Sequence, residues 1–111
     1  MYASVRKYLM DPDRIDELMH RVDEEFCPRL EELPGFVAYQ VIDAGADRSG
    51  KGVVFTVTVC HDRESAERTI EMAAEFVADE LGDFDVDRLE AAAGQVKVSR
   101  AVSEMLEASH A

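Results

Sequence analysis

His61 is the residue of this chain best placed by type and position to move a proton. It follows Cys60 at the end of the run VVFTVTVCH and precedes Asp62, where a strand gives way to a helix. An imidazole at such a joint titrates in the range that suits acid–base work, so His61 is the candidate catalytic base. His20 and His110 stand far from it in sequence, and Cys27 and Cys60 show no metal or redox spacing, so no metal site is expected. Solvation is the competing role for each histidine. Tyr2, Tyr8 and Tyr39 can orient or deprotonate a phenolic compound, although a tyrosine in a strand also packs with its hydroxyl at the rim. Gly45, Gly50 and Gly52 serve a hairpin rather than a helix start, which excludes a phosphate loop. No serine has the histidine and aspartate spacing of a hydrolase.

These groups are carried by a short series of elements. Tyr2 to Leu9 alternates as a first strand, with Ala3, Val5, Lys7 and Leu9 on one face and Tyr2, Ser4, Arg6 and Tyr8 on the other. Asp11 caps a helix that opens on Pro12 and runs to Leu33, with an apolar stripe through Ile15, Leu18, Val22, Phe26 and Leu30. Pro28 interrupts it, because Glu24 loses its hydrogen-bond donor. Pro34 and Gly35 stop it, and Phe36 to Ile42 is β-rich. A loop from Asp43 to Gly52 leads to the strand Val53 to His61, covered on both faces. Asp62 caps a second helix whose stripe is Ala66, Ile70, Ala73, Val77 and Leu81, ending at Gly82. Asp83 to Gly94 reads as a short helical turn, Gln95 to Ala101 as a last strand, and Val102 to Ala108 as a short terminal helix. A single domain over residues 1–101 with a tail over 102–111 follows.

With 111 residues, 47% of them apolar, the chain can bury one modest core. Its formal charge of −12 repels phosphate backbones and anionic lipid, so neither nucleic acid nor membrane is an expected partner. The start MYASVRKYLMDPD lacks the basic-then-apolar pattern of a signal peptide, and the expected location is cytoplasmic. Nine arginines against three lysines among dispersed acids suit a high-salt cytoplasm, an expectation that a melting series in KCl tests.

The order strand, helix, strand, strand, helix, strand folds as a ferredoxin-like α+β sandwich, a four-stranded antiparallel sheet with both helices on one face. The other face, bearing Val53, Phe55, Val57 and Val59, then needs cover, and a homodimer packed sheet to sheet supplies it. The Leu33-Pro34-Gly35-Phe36 joint after a helix with Phe26 and Pro28, and the strand ending Cys60-His61-Asp62 before an alanine-rich helix, resemble the dimeric α+β barrel superfamily. Within it the antibiotic-biosynthesis-monooxygenase-like branch is most similar. The resemblance implies a pocket between helices and sheet. It also implies either cofactor-independent oxygenation of a small aromatic or polyketide-like compound, or a non-catalytic ligand-binding or stress-associated dimer. Cys60 stands where those enzymes often carry a tryptophan and Lys7 where the haem-cleaving relatives carry an asparagine. No histidine lies between Ser65 and Leu81 to ligate haem, so haem cleavage is not expected. Ala3, Val5 and Lys7, with Thr56, Thr58 and Cys60, are smaller or more polar than the faces opposite and are assigned to the helix side. Lys7, Thr58, Cys60 and His61 then border the pocket, joined by Tyr39, whose face is open, and Lys7 favours an anionic or phenolate ligand. A lysine that snorkels at the strand end is the competing reading.

Overall fold

Asp11 and Pro12 begin the first helical layer as their chemistry dictates. The Asp11 side chain accepts from the Asp13 N–H at 3.0 Å, and Pro12 sits where no donor is needed. In a computed structural model, which describes residues 1–102, a 3-10 turn at Pro12–Arg14 leads into α1 (Ile15–Arg21), a π turn (Val22–Phe26) and α2 (Cys27–Glu31). The interruption expected at Pro28 takes the form of that π turn. Proline offers no N–H to the Glu24 carbonyl, and the wider turn lets the Cys27 N–H reach the Val22 carbonyl instead.

Around this layer run β1 (Tyr2–Met10), β2 (Phe36–Ala46), β3 (Gly52–Cys60), α3 (Arg63–Glu80) and β4 (Asp87–Gln95). The strands form one antiparallel sheet in the order β2-β3-β1-β4, with the helices packed on one face. Tyr8, Met10 and Val54 from the sheet meet Ile15, Leu18, Val22, Phe26 and Leu30 from the first layer and Ala73 and Phe76 from α3. That is the core. The tight turn between β2 and β3 is held by Asp47, whose carboxylate accepts from the Ser49 and Lys51 N–H groups at 2.9 Å, with Gly50 at φ +85°.

Three expectations are corrected. Thr56, Thr58 and Cys60 do face the helices, but on β1 the helix side is Ser4, Arg6, Tyr8 and Met10, not Ala3, Val5 and Lys7. Directly opposed residues of an antiparallel pair share a face, so Arg6 joins Thr56 and Ser4 joins Thr58, while Lys7 joins Phe55 on the outer face. Comparing size misleads here, because the buried half of β1 is its larger half as well as its more polar one. Secondly, the last strand is Asp87–Gln95, not Gln95 to Ala101; Val98 is 82% exposed. The alanines of this stretch favour helix by propensity, and pairing with β1 overrides them. Thirdly, the buried side of α3 is Ala66, Thr69, Ala73 and Phe76, rotated from the expected stripe. The expected terminal helix lies, from position 103 on, outside the described residues.

The joint at Gly35 ties β2, β3 and α3 together. Its carbonyl accepts from the His61 N–H at 2.8 Å. A Cβ there would strike Ser65 Oγ and lie 2.5 Å from Asp62 Oδ1, which accepts from that hydroxyl at 2.8 Å while Asp62 Oδ2 caps α3 through the Ser65 N–H. Gly35→Ala is therefore expected to cost about 1–3 kcal/mol as an overpacked site. At Gly82 an added Cβ meets nothing within 4 Å. Gly82→Ala is expected to change stability by less than about 0.5 kcal/mol, with urea titration of both variants as the measurement.

Candidate functional site

Arg6 is the most unusual residue of the molecule, a guanidinium with 1% of its surface exposed and no carboxylate partner among the described residues. The sheet register places it. Arg6 and Ser4 on β1 stand opposite Thr56 and Thr58 on β3, and Thr69 descends from α3 onto them. Arg6 Nε donates to Thr56 Oγ1, Nη2 to Thr58 Oγ1 and Nη1 to Ser4 Oγ, each at 2.8 Å, and Nη1 reaches Thr69 Oγ1 at 3.3 Å. Four hydroxyl oxygens thus solvate the charge, and none neutralises it. Burial lowers the Arg6 pKa, yet a guanidinium remains charged at neutral pH under any such shift.

Beside this cluster, between helices and sheet, is a cavity of about 40 Å3. Its walls are apolar and aromatic: Phe26, Phe76, Met10 and Met19 lie around the hydroxyl-bearing Tyr8, Tyr39 and Thr56. Phe26 packs edge-on to Tyr39 with ring centroids 5.8 Å apart and lies 5.0 Å from Phe76. Burial raises both phenols, and the nearby Arg6 only partly opposes it at either one. Both are therefore neutral hydrogen-bonding groups at physiological pH.

That shift has a consequence for stability in alkali. The folded state holds the phenolic protons more tightly than the unfolded chain, whose tyrosines ionise near pH 10. Stability is present below that pH and is lost as pH rises above it, because the unfolded state sheds its protons first. Tyrosinate absorbance in an alkaline titration is expected to rise in step with unfolding for Tyr8 and Tyr39. Tyr39→Phe should extend the stable range upward.

The expected site residues divide among three places. Tyr39 lines the cavity. Thr58 lies behind it in the Arg6 cluster, and Cys60 is buried further along the same face of β3, its thiol pushed up by burial and by Asp62. Lys7 is on the other side of the sheet, its Nζ 5.7 Å from the centre of the Phe55 ring, and so cannot supply the positive charge expected of it inside the cleft. His61 is exposed at an open groove of about 650 Å3 with Asp62, Ser65, Arg68 and Glu71, away from the cavity walls. Arg6 was missed as a site residue. The signal for it was the match of a polar Ser4/Arg6 face with a polar Thr56/Thr58 face.

A four-stranded antiparallel sheet of this order with helices on one face defines the ferredoxin-like class. Solved structures of that class superpose on nearly the whole chain. HapK from Hahella chejuensis is 20% identical over 92% of this chain and 99% of its own, with a TM-score of 0.67. A putative antibiotic biosynthesis monooxygenase from Deinococcus radiodurans is 14% identical over 92% of this chain and 98% of its own, with a TM-score of 0.65. A dimeric ferredoxin-like protein from an uncultured marine organism is 13% identical over 92% and 100%, at 0.64. At such identities the likeness is one of fold. No family model matches the chain, and no curated protein matches its sequence.

Proposed function

We propose that this protein is a homodimer that takes a small aromatic or polyketide-like compound into the cavity between its helices and its sheet, as a monooxygenase-like enzyme without a cofactor. The carrying observation is the cavity itself, apolar and aromatic on its walls, with the hydroxyl-bearing Tyr8, Tyr39 and Thr56 among its lining residues. Small-molecule sites have this make-up, a greasy lining with a few placed polar groups. At about 40 Å3 the cavity is far below the roughly 300–1,000 Å3 of an occupied ligand site, so binding requires it to widen. Met10 and Met19 in its lining, unbranched and able to change rotamer, are the side chains suited to yield.

The chemistry is constrained by what lines the cavity. No histidine or carboxylate does so, and the two phenols hold their protons tightly. Oxygenation here is confined to compounds that ionise readily by themselves, such as a methylene between a carbonyl and an aromatic ring. Loss of its proton makes that carbon electron-rich enough to meet oxygen; one oxygen atom stays on the carbon and the other leaves as water, with the substrate supplying the electrons. The same lack of a base favours a second reading, a non-catalytic binder. Of the residues first assigned to the site, Tyr39 keeps a role in ligand binding, and Thr58 stands behind it as a partner of Arg6. His61 as base and Cys60 as ligand contact are kept only for the case that the neighbouring groove opens to the cavity.

Oxygen uptake with a simple cyclic 1,3-diketone or anthrone, in wild type and in Ala73→Phe, tests the reading. Ala73 lines the cavity from α3 and is buried, so a phenyl group there fills the space. Uptake above the uncatalysed rate, abolished by Ala73→Phe, is the expected result. Binding without uptake leaves the binder, and no binding of any such compound overturns both.

A further inference from the structure

Thr69 Oγ1 donates to the Ala66 carbonyl at 2.6 Å, so at the 2.7 Å contact between Ser4 and Thr69 it is Ser4 that donates. Ser4 and Thr69 have therefore used their hydroxyl protons within the cluster. Thr56 and Thr58 accept from Nε and Nη2 of Arg6, and the neutral Tyr8 hydroxyl lies beside both Thr56 and Arg6. Four of the five guanidinium N–H groups are assigned, one to each hydroxyl contact, and the neutral phenols of Tyr8 and Tyr39 lie beside the guanidinium as well. The cluster thus holds a positive charge met only by neutral hydroxyls, and Thr56, which shares the charge through a 2.8 Å hydrogen bond, lies in the cavity wall.

We infer that the cavity selects its ligand in the ionised form, an oxyanion such as a phenolate or enolate, accepting from the Thr56 hydroxyl with the Arg6 guanidinium directly behind it. This rests on the reading of the cavity as a small-molecule site and adds the charge of the ligand. A hydrogen bond from a donor that is itself bonded to a cation is strengthened toward an anion, and the low dielectric of a buried site magnifies the effect. An unpaired buried cation is costly unless something offsets it. A ligand oxyanion offsets it, and a neutral ligand of the same shape does not. The chemistry of the preceding section gains a driving force, because a site that binds the enolate more tightly than its parent lowers the ligand's own pKa.

The test uses two single-ring probes of nearly equal shape, 4-nitrophenol, which ionises, and 4-nitroanisole, which does not. With the wild-type protein, bound 4-nitrophenol is expected to show the phenolate absorbance at least about one pH unit lower than free probe, a preference of about tenfold for the anion. In Arg6→Met that preference is expected to vanish while 4-nitroanisole binds as before. Thr56→Val keeps the charge, removes the donor and is expected to show a reduced shift. It also decides the matter should Arg6→Met fail to fold. If both probes bind equally, with no shift in the 4-nitrophenol ionisation, the inference is overturned and the small-molecule site stands. If neither probe binds, both fall.

Discussion

Phe55→Asp is expected to convert the proposed homodimer to a folded monomer at micromolar concentration. Phe55 sits on the outer face of β3 with Val53, Val57 and Val59, opposite Lys7 and Ile42 on the flanking strands. Within a single copy nothing among the described residues covers that face; Val5 and Ile42 on it are 43% and 46% exposed. A contiguous apolar sheet face of this kind is the mark of an association surface. Dimers are also described among proteins of this fold. Burying an unpaired carboxylate there costs about 3–5 kcal/mol, enough to shift association by about two to nearly four orders of magnitude. Circular dichroism should change little, because the Phe55 side chain does not belong to the helix-side core. Sedimentation reads the result. A wild-type monomer at the same concentration would remove the dimer, and an undissociated Phe55→Asp dimer would move the interface elsewhere.

The second large effect falls on Phe84, which is 1% exposed in the turn between α3 and β4. Its ring is covered by Arg14, whose guanidinium carbon lies 4.1 Å from the ring centre, and by Arg21 at 5.3 Å. Those same arginines donate to the Asp83 carbonyl at 2.7 Å and the Glu80 carbonyl at 2.8 Å, so they close the C-terminal end of α3 onto α1. Phe84→Ala empties the anchor of this arrangement and is expected to cost about 3–5 kcal/mol. A midpoint shift in urea at unchanged slope is the predicted observation. Phe84→Leu, which retains most of the buried area, should lose less than half as much. A loss below about 1 kcal/mol in Phe84→Ala would show that the turn is held by the arginine contacts to carbonyls alone.

Much of the architecture was legible because it is written in local, short-range chemistry. Asp11 before Pro12, Asp62 two residues after Cys60, and the Pro34-Gly35 stop each specify a boundary through one backbone group or one cap. The alternation of Val53 to Cys60 announced a strand with one apolar and one mixed face, and the count of elements left the ferredoxin-like sheet as the compact solution. What the sequence alone could not decide was relative placement. Which half of β1 turns inward depends on its register with β3, and a shift of one residue exchanges every side chain between faces. That single choice moved Lys7 out of the cleft and put Arg6 into it. The strand Asp87–Gln95 was hidden for a similar reason. Its Ala91, Ala92 and Ala93 carry no β-preference of their own, and only the hydrogen bonds offered by β1 make them extended. Caps, stops and alternation thus came from the chain's own sequence. The buried charge, its hydroxyl partners and the cavity beside them came from tertiary structure, because residues 4, 6, 56, 58 and 69 meet only after the strands have chosen their register and α3 has docked.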